Sequence, residues 1–129
     1  MLMILERLPM PLTVCKVTSI REIDLDAGFC FIGKTDEELS LVCETKDVPA
    51  SAAEREDGWR AFRVRGVLDF SLVGILAGLT RALAERGIGL FAVSTFNTDY
   101  LLVRDTDADR AEQALREAGN EVVRRGEAE

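Results

Sequence analysis

The 129-residue chain has no histidine, and that absence closes off much chemistry. It removes the commonest metal ligand and the usual general base near neutral pH. It also removes any Ser-His or Cys-His nucleophile. Cysteine is scarce: Cys15, Cys30 and Cys43 are an odd number, and none sits in a CxxC pair. Each lies among strand-like apolar residues, so they read as buried reduced thiols. No metal and no cofactor is expected. Aromatics make up only 6% of the chain, which leaves the core to Leu, Val, Ile and Ala. No run approaches the ~20 apolar residues needed to span a membrane. The N-terminus lacks the apolar stretch after a basic start that marks a secretory signal. A cytoplasmic protein with no membrane partner is the expectation. Basic excess is missing as well, since the net charge is −7. An acidic chain is repelled by phosphate backbones, which argues against a nucleic-acid partner.

What is present is ordinary globular material, 47% hydrophobic and 30% charged. That length suggests one compact domain or two very small ones fused. Pro9 and Pro11 predict an extended entry. Residues 12–18, 29–33 and 39–45 read as short strands, the last two forming an antiparallel hairpin. Pro49 and Gly58 break residues 46–58, with a short helix expected near 51–55, and this stretch is the natural boundary between halves. Residues 60–65 then alternate, with Phe62 and Val64 inward and Arg63 and Arg65 on a wetted face. A helix is expected over 72–86, capped by Asp69 or Ser71, with Leu72, Ile75, Leu76, Leu79 and Leu83 on one stripe. Gly74 and Gly78 at GxxxG spacing suggest close packing on that helix. Strands at 88–96 and 100–104 flank a turn at 97–99. A second helix follows, capped by Thr106, Asp107 or Asp109, with Glu112 completing a capping box if Asp109 is the cap. Residues 121–124 form the last strand.

From residue 60 the order is β-α-β-β-α-β, the ferredoxin-like arrangement. It predicts an α+β fold, a four-stranded antiparallel sheet with two helices on one face. Fold alone does not give function.

Three stretches carry a resemblance. They are Thr35-Asp-Glu-Glu-Leu-Ser-Leu-Val-Cys43, Phe70-Ser-Leu-Val-Gly-Ile-Leu76 and Ser94-Thr-Phe-Asn-Thr-Asp-Tyr-Leu-Leu-Val103. Together they resemble the small bacterial ACT-domain proteins related to the ACT repeats of the cellular arginine sensor. More distantly they are similar to the regulatory ACT domains of aspartate kinase. The likeness runs over roughly residues 12–124. It implies a divergent ACT-like half at 1–58, an ACT domain at 59–129 and a non-catalytic amino-acid-binding regulatory role. It also implies homo-oligomers built by ACT–ACT pairing, with a free amino acid held at an interface between ACT units. Carried over by matching position, the ligand-binding residues are Ser71, Val73, Gly74, Ile75, Ser94, Thr95, Asn97, Thr98 and Asp99.

A physical account stands beside the resemblance. Helix N-terminal amides lack internal partners and suit a carboxylate. Gly74 leaves room for backbone to approach a ligand. Asp99 is the candidate partner for an ammonium or guanidinium, and Ser94, Thr95, Asn97 and Thr98 add short polar contacts. Asp99 is equally an ordinary turn residue. Two other classes stay open: a protein–protein interaction module with no small-molecule ligand, and a small enzyme using Asp69 and Asp99 as acid and base.

Overall fold

The chain begins with a strand where its two prolines predicted only an extended entry. The computed structural model describes residues 3–66 and 74–126. Among them the order is β1 (Ile4–Arg7), β2 (Leu12–Lys16), β3 (Cys30–Lys34), β4 (Leu39–Glu44), β5 (Glu54–Val64), α1 (Ile75–Ala84), β6 (Leu90–Ser94), β7 (Asp99–Arg104), α2 (Ala108–Glu117) and β8 (Glu121–Arg124). The chain forms two units, Met1–Pro9 with Arg60–Glu129, and Met10–Trp59. The expected boundary at residue 58 leaves the first nine residues in the N-terminal half. The structure groups them with the C-terminal unit, because β1 pairs there with β5 and β8.

The C-terminal unit orders its strands β6-β7-β5-β1-β8, using the last part of β5. This is the expected ferredoxin-like sheet with one change: five strands, not four. β1 is antiparallel to β5 and parallel to β8, so the sheet is not wholly antiparallel. Alternation puts Leu5, Phe62, Val64, Leu101 and Val103 on one face, all fully buried, and period two along a strand is the reason. Leu79 and Leu83 of α1 and Ala111, Ala114 and Leu115 of α2 join them in one core. Small alanines on α2 let it lie close to the sheet.

Both helices start differently from expectation. α1 begins at Ile75, and Gly74 holds its cap position at φ 82° with no side-chain cap. Only glycine adopts that left-handed conformation at little cost. The expected caps Asp69 and Ser71, and the stripe residue Leu72, lie outside the described residues. Among the described residues nothing packs closely on these glycines, since a methyl group on Gly74 or Gly78 meets no atom within 4 Å. At α2, Asp107 holds the cap position and makes no capping bond. The capping-box pair is used otherwise. Arg7 Nη1 on β1 donates to Asp109 at 2.8 Å and to Glu112 at 2.9 Å. Glu112 also receives Arg116 at 3.0 Å and Arg124 at 3.2 Å. Asp109 is held below the usual carboxylate range, chiefly by the Arg7 hydrogen bond.

The N-terminal unit has strand order β3-β4-β2-β5, using the first part of β5. Its hairpin repeats that of the other unit, sixty positions earlier. Cys30 pairs with Cys43 as Leu90 pairs with Val103, and Phe31 with Val42 as Phe91 with Leu102. The turns match too: Thr35 N–H donates to the Glu38 carbonyl at 2.9 Å, and Thr95 N–H to Thr98 at 2.8 Å. Short 3-10 turns at Ile20–Glu22 and Thr45–Asp47 stand at the two connections where the other unit has helices. Ile23, Val48 and Ala52 cover Cys15, Leu41 and Cys43 instead. Burial pushes the Cys43 thiol up to about 12. Cys30 is only partly buried. The helix expected near 51–55 is absent, and Glu54 already lies in β5. Gly58 breaks nothing. At φ 86° it sits in a bulge of β5, where the pairing with β2 shifts register.

Glu22 fastens the first turn. Its Oε1 accepts the Thr18 amide at 2.9 Å, the Thr18 hydroxyl at 2.7 Å and the Ser19 amide at 2.8 Å, and its Oε2 accepts the Ser51 hydroxyl. Led by the Ser51 bond, these donors lower its pKa to about 2.

Two predictions follow from these contacts. Leu5→Ala should cost about 2–5 kcal/mol, as for other core leucines, read as a lower urea midpoint. Glu22→Gln should lower the thermal midpoint at pH 7. A depressed carboxylate pKa stabilises the fold above its unfolded value, so the difference from the parent should shrink as pH falls from 4.5 toward 2.

Candidate functional site

The polar middle of the second hairpin is a four-residue turn from Thr95 to Thr98, two residues earlier than expected. Thr95 closes it twice, by its amide and by its hydroxyl, which reaches the Thr98 carbonyl at 3.1 Å. The Thr98 hydroxyl is buried and donates to the Val64 carbonyl at 2.7 Å, fixing the turn to β5. Asp99 therefore belongs to β7, directly opposite Ser94. The Ser94 hydroxyl donates to its carboxylate at 2.6 Å. Asp99 is thus engaged by a neighbour within its own hairpin.

A groove of about 320 Å³ opens beside this turn. Thr95, Asn97 and Thr98 line it on one side, and Glu6, Arg63 and Arg65 on the other. Glu6 and Arg63 face each other across the β1–β5 ladder. Arg63 Nε donates to Glu6 Oε1 at 2.9 Å, and Arg65 Nε to Oε2 at 3.2 Å. The arginines expected merely to be solvated are paired through one carboxylate.

Gly74 and Ile75 lie elsewhere. They line a separate cavity of about 250 Å³ together with Met3, Gly78, Leu79, Ala118 and Asn120. Asn120 Oδ1 accepts the Met3 amide at 3.1 Å, and its amide nitrogen donates to the Leu115 carbonyl at 3.0 Å. Of the nine expected ligand residues, three share the turn groove and two share this cavity. Ser94 and Asp99 pair with each other and line neither. Ser71 and Val73 lie outside the described residues.

Glu6 was missed by sequence reasoning. Its segment carried no strand signal beyond four residues, and its partner lies fifty-seven positions away. The alternation of Arg63 and Arg65 was visible, but nothing in it pointed to Glu6. Among the described residues no cluster of three or more His, Cys, Asp or Glu could hold a metal. No helix there is long and apolar enough to cross a membrane.

This architecture matches known proteins. The family model described as ACT domain matches residues 54–117. A structural-genomics target protein from Agobacterium tumefaciens is 30% identical, with 99% of this chain and 97% of that chain covered and a TM-score of 0.85. The chain belongs to the ACT-domain family. A Vibrio cholerae protein of unknown function, described as a possible transport protein, is similar at 24% identity, TM-score 0.69, over 90% and 89% of the two chains. The ligand-free regulatory subunit of Thermus thermophilus aspartate kinase shares the fold at 10% identity, TM-score 0.60, over 85% and 93%. No curated protein matches. The ACT α+β fold read from the sequence is thereby borne out, with β1 as its added strand.

The turn gives a control for any binding study. Thr98→Val removes a buried donor and should cost about 1 kcal/mol of stability. Asn97→Ala at an exposed position should stay within about 0.5 kcal/mol of the parent. Urea unfolding of both variants checks this, and any ligand effect of Asn97→Ala is then a binding effect.

Proposed function

We infer that this ACT-family chain is a non-catalytic regulatory module that binds a free amino acid. The observation that carries the reading is a polar hairpin turn rigidly tied to the sheet and bordering an open groove, in a chain of the ACT family. Preformed concave sites with a few convergent polar groups are where small ligands bind. The turn hydroxyls and amide and the Gly74–Ile75 helix start are the two candidate contact regions, with Ser71 and Val73 added from the adjoining segment. Since they border separate cavities within one unit, the reading places the ligand where an ACT unit of one chain meets that of a second copy. The shared strand order and hairpin register support counting Met10–Trp59 as a second, divergent ACT-like unit. Its place in this reading is structural pairing in a cytoplasmic homodimer. Of the two candidate acid–base carboxylates, Asp99 is bonded to Ser94, which supports the non-catalytic reading, and Asp69 lies outside the described residues.

A thermal-shift screen of the full chain against the twenty amino acids tests this. A ligand at a hundred times its Kd should stabilise the native state by about 2.7 kcal/mol, seen as a rise of several degrees. No rise with any amino acid would sink the reading. Sedimentation with and without the hit checks the dimer.

A further inference from the structure

The groove beside the turn carries an unusual charge balance for so acidic a chain. One carboxylate, Glu6, is faced by Arg63, Arg65 and, at 3.6 Å, Arg125. The local balance is positive, while the chain as a whole stands at −7. Glu6 is well covered at 13% side-chain exposure, Arg63 less so at 27%, and Arg65 is open at 48%. Arg65 commits its Nε to Glu6, and a guanidinium has five N–H donors in a fork matched to carboxylates.

The sixty-residue repeat supplies an internal comparison. A groove of about 260 Å³ lies against the matching hairpin of the N-terminal unit. There Glu38 stands at the position of Thr98, and Ser40 at that of Tyr100. Its charged residues are Lys16 and Arg55 against Glu38, Glu54 and Glu56. The same framework thus carries a negative balance in one unit and a positive one in the other. The strand pairing alone does not demand arginines at this place, so their presence in one copy has a local reason.

We propose that the C-terminal groove binds an acidic amino acid, with its carboxylates taken by Arg63 and Arg65 and its ammonium by Glu6. This rests on the amino-acid-binding reading and names the ligand class. A basic amino acid would set a second cation beside three guanidiniums, and a neutral one would offer a single carboxylate to two arginines. An acidic amino acid presents two carboxylates and one ammonium, the complement of two arginines and one glutamate. Asp99, engaged by Ser94, is not the ammonium partner in this arrangement.

Titration calorimetry of the full chain at low salt tests the proposal, using L-glutamate, L-aspartate, L-lysine, L-arginine, L-leucine and succinate. Glutamate or aspartate should bind, more weakly as salt is raised, since the groove is partly exposed. Arg65→Gln should weaken that binding roughly tenfold or more, the loss expected for a charge-assisted contact. Lys16→Gln, in the matching groove, should leave it unchanged. Binding of only neutral or basic amino acids overturns the acidic-ligand proposal and leaves the amino-acid reading standing. Binding of succinate with no amino acid, or no binding at all, overturns the acidic-ligand proposal, and the amino-acid reading falls with it only when the twenty-amino-acid thermal screen is also blank. Glutamate binding that Arg65→Gln does not touch, with the variant folded by circular dichroism, overturns the groove assignment.

Discussion

The C-terminal unit depends on a four-residue strand from the far end of the chain. β1 lies between β5 and β8, antiparallel to one and parallel to the other, and among the described residues β8 has no other neighbour in the sheet. Its last three side chains each hold a different part. Leu5 is fully buried among residues from both helices and from β5, β7 and β8. Arg7 reaches across to Asp109 and Glu112 on α2. Glu6 points to the opposite face and gathers Arg63 and Arg65. Alternation along a strand makes this division unavoidable: residues 5 and 7 share one face and residue 6 takes the other. The Glu112 carboxylate is 8% exposed and carries three arginines, and such a buried charge is tolerable only when its partners stay in place. The strand that completes the core therefore also fixes the helix above it and the groove below.

Because β1 precedes the whole of Met10–Trp59, the C-terminal unit is discontinuous in sequence. Its closing contacts join residues more than a hundred positions apart, such as Leu5 with Val122. Long-range pairing of this kind must overcome loop-closure entropy before it stabilises anything, which makes it slow to form. The N-terminal unit lightens that cost when it folds first, since its own hairpin and turns are local and bring the ends of the intervening chain into order. Thr13 shows how tightly it closes: fully buried, it gives its hydroxyl to Asp57 at 2.7 Å and meets the Thr45 hydroxyl at 2.9 Å.

The sequence exposed the second half of the fold well, because its signals are local. The α1 stripe, the inward Phe62 and Val64 and the Ala111–Ala114–Leu115 face all depend on neighbours within a turn or a strand. It hid β1 because a four-residue strand carries no period long enough to read. It misassigned Asp109 and Glu112 to a cap because S/T/D-x-x-E spacing looks the same whether the carboxylate turns back to the backbone or reaches out to a distant arginine. The turn was placed two residues late because Asn97 and Asp99 are both turn formers, while the hydrogen bonds that decide the matter come from Thr95. The candidate site was legible as composition but not as geometry. Thr95, Asn97 and Thr98 were named from their own chemistry, whereas the charged wall facing them comes from β1 and β5.

That wall changes what the polar turn can recognise. Hydroxyls and an amide accept or donate with little regard for charge, so a turn of Thr95, Asn97 and Thr98 alone would not choose among amino acids. Choice comes from groups that repel the wrong ligand as well as attract the right one. On the proposed reading those groups, in the C-terminal unit, are the guanidiniums arranged around Glu6. In the N-terminal unit the corresponding place holds three carboxylates against Lys16 and Arg55, and the exposed Glu38 accepts the Ser40 hydroxyl at 2.6 Å. Two grooves built on one hairpin geometry therefore cannot serve one anionic ligand equally. The divergence of side chains on a retained backbone leaves the C-terminal groove, of these two, with the positive balance, and its arginines are gathered by Glu6, which the C-terminal unit owns only because β1 crosses back into it.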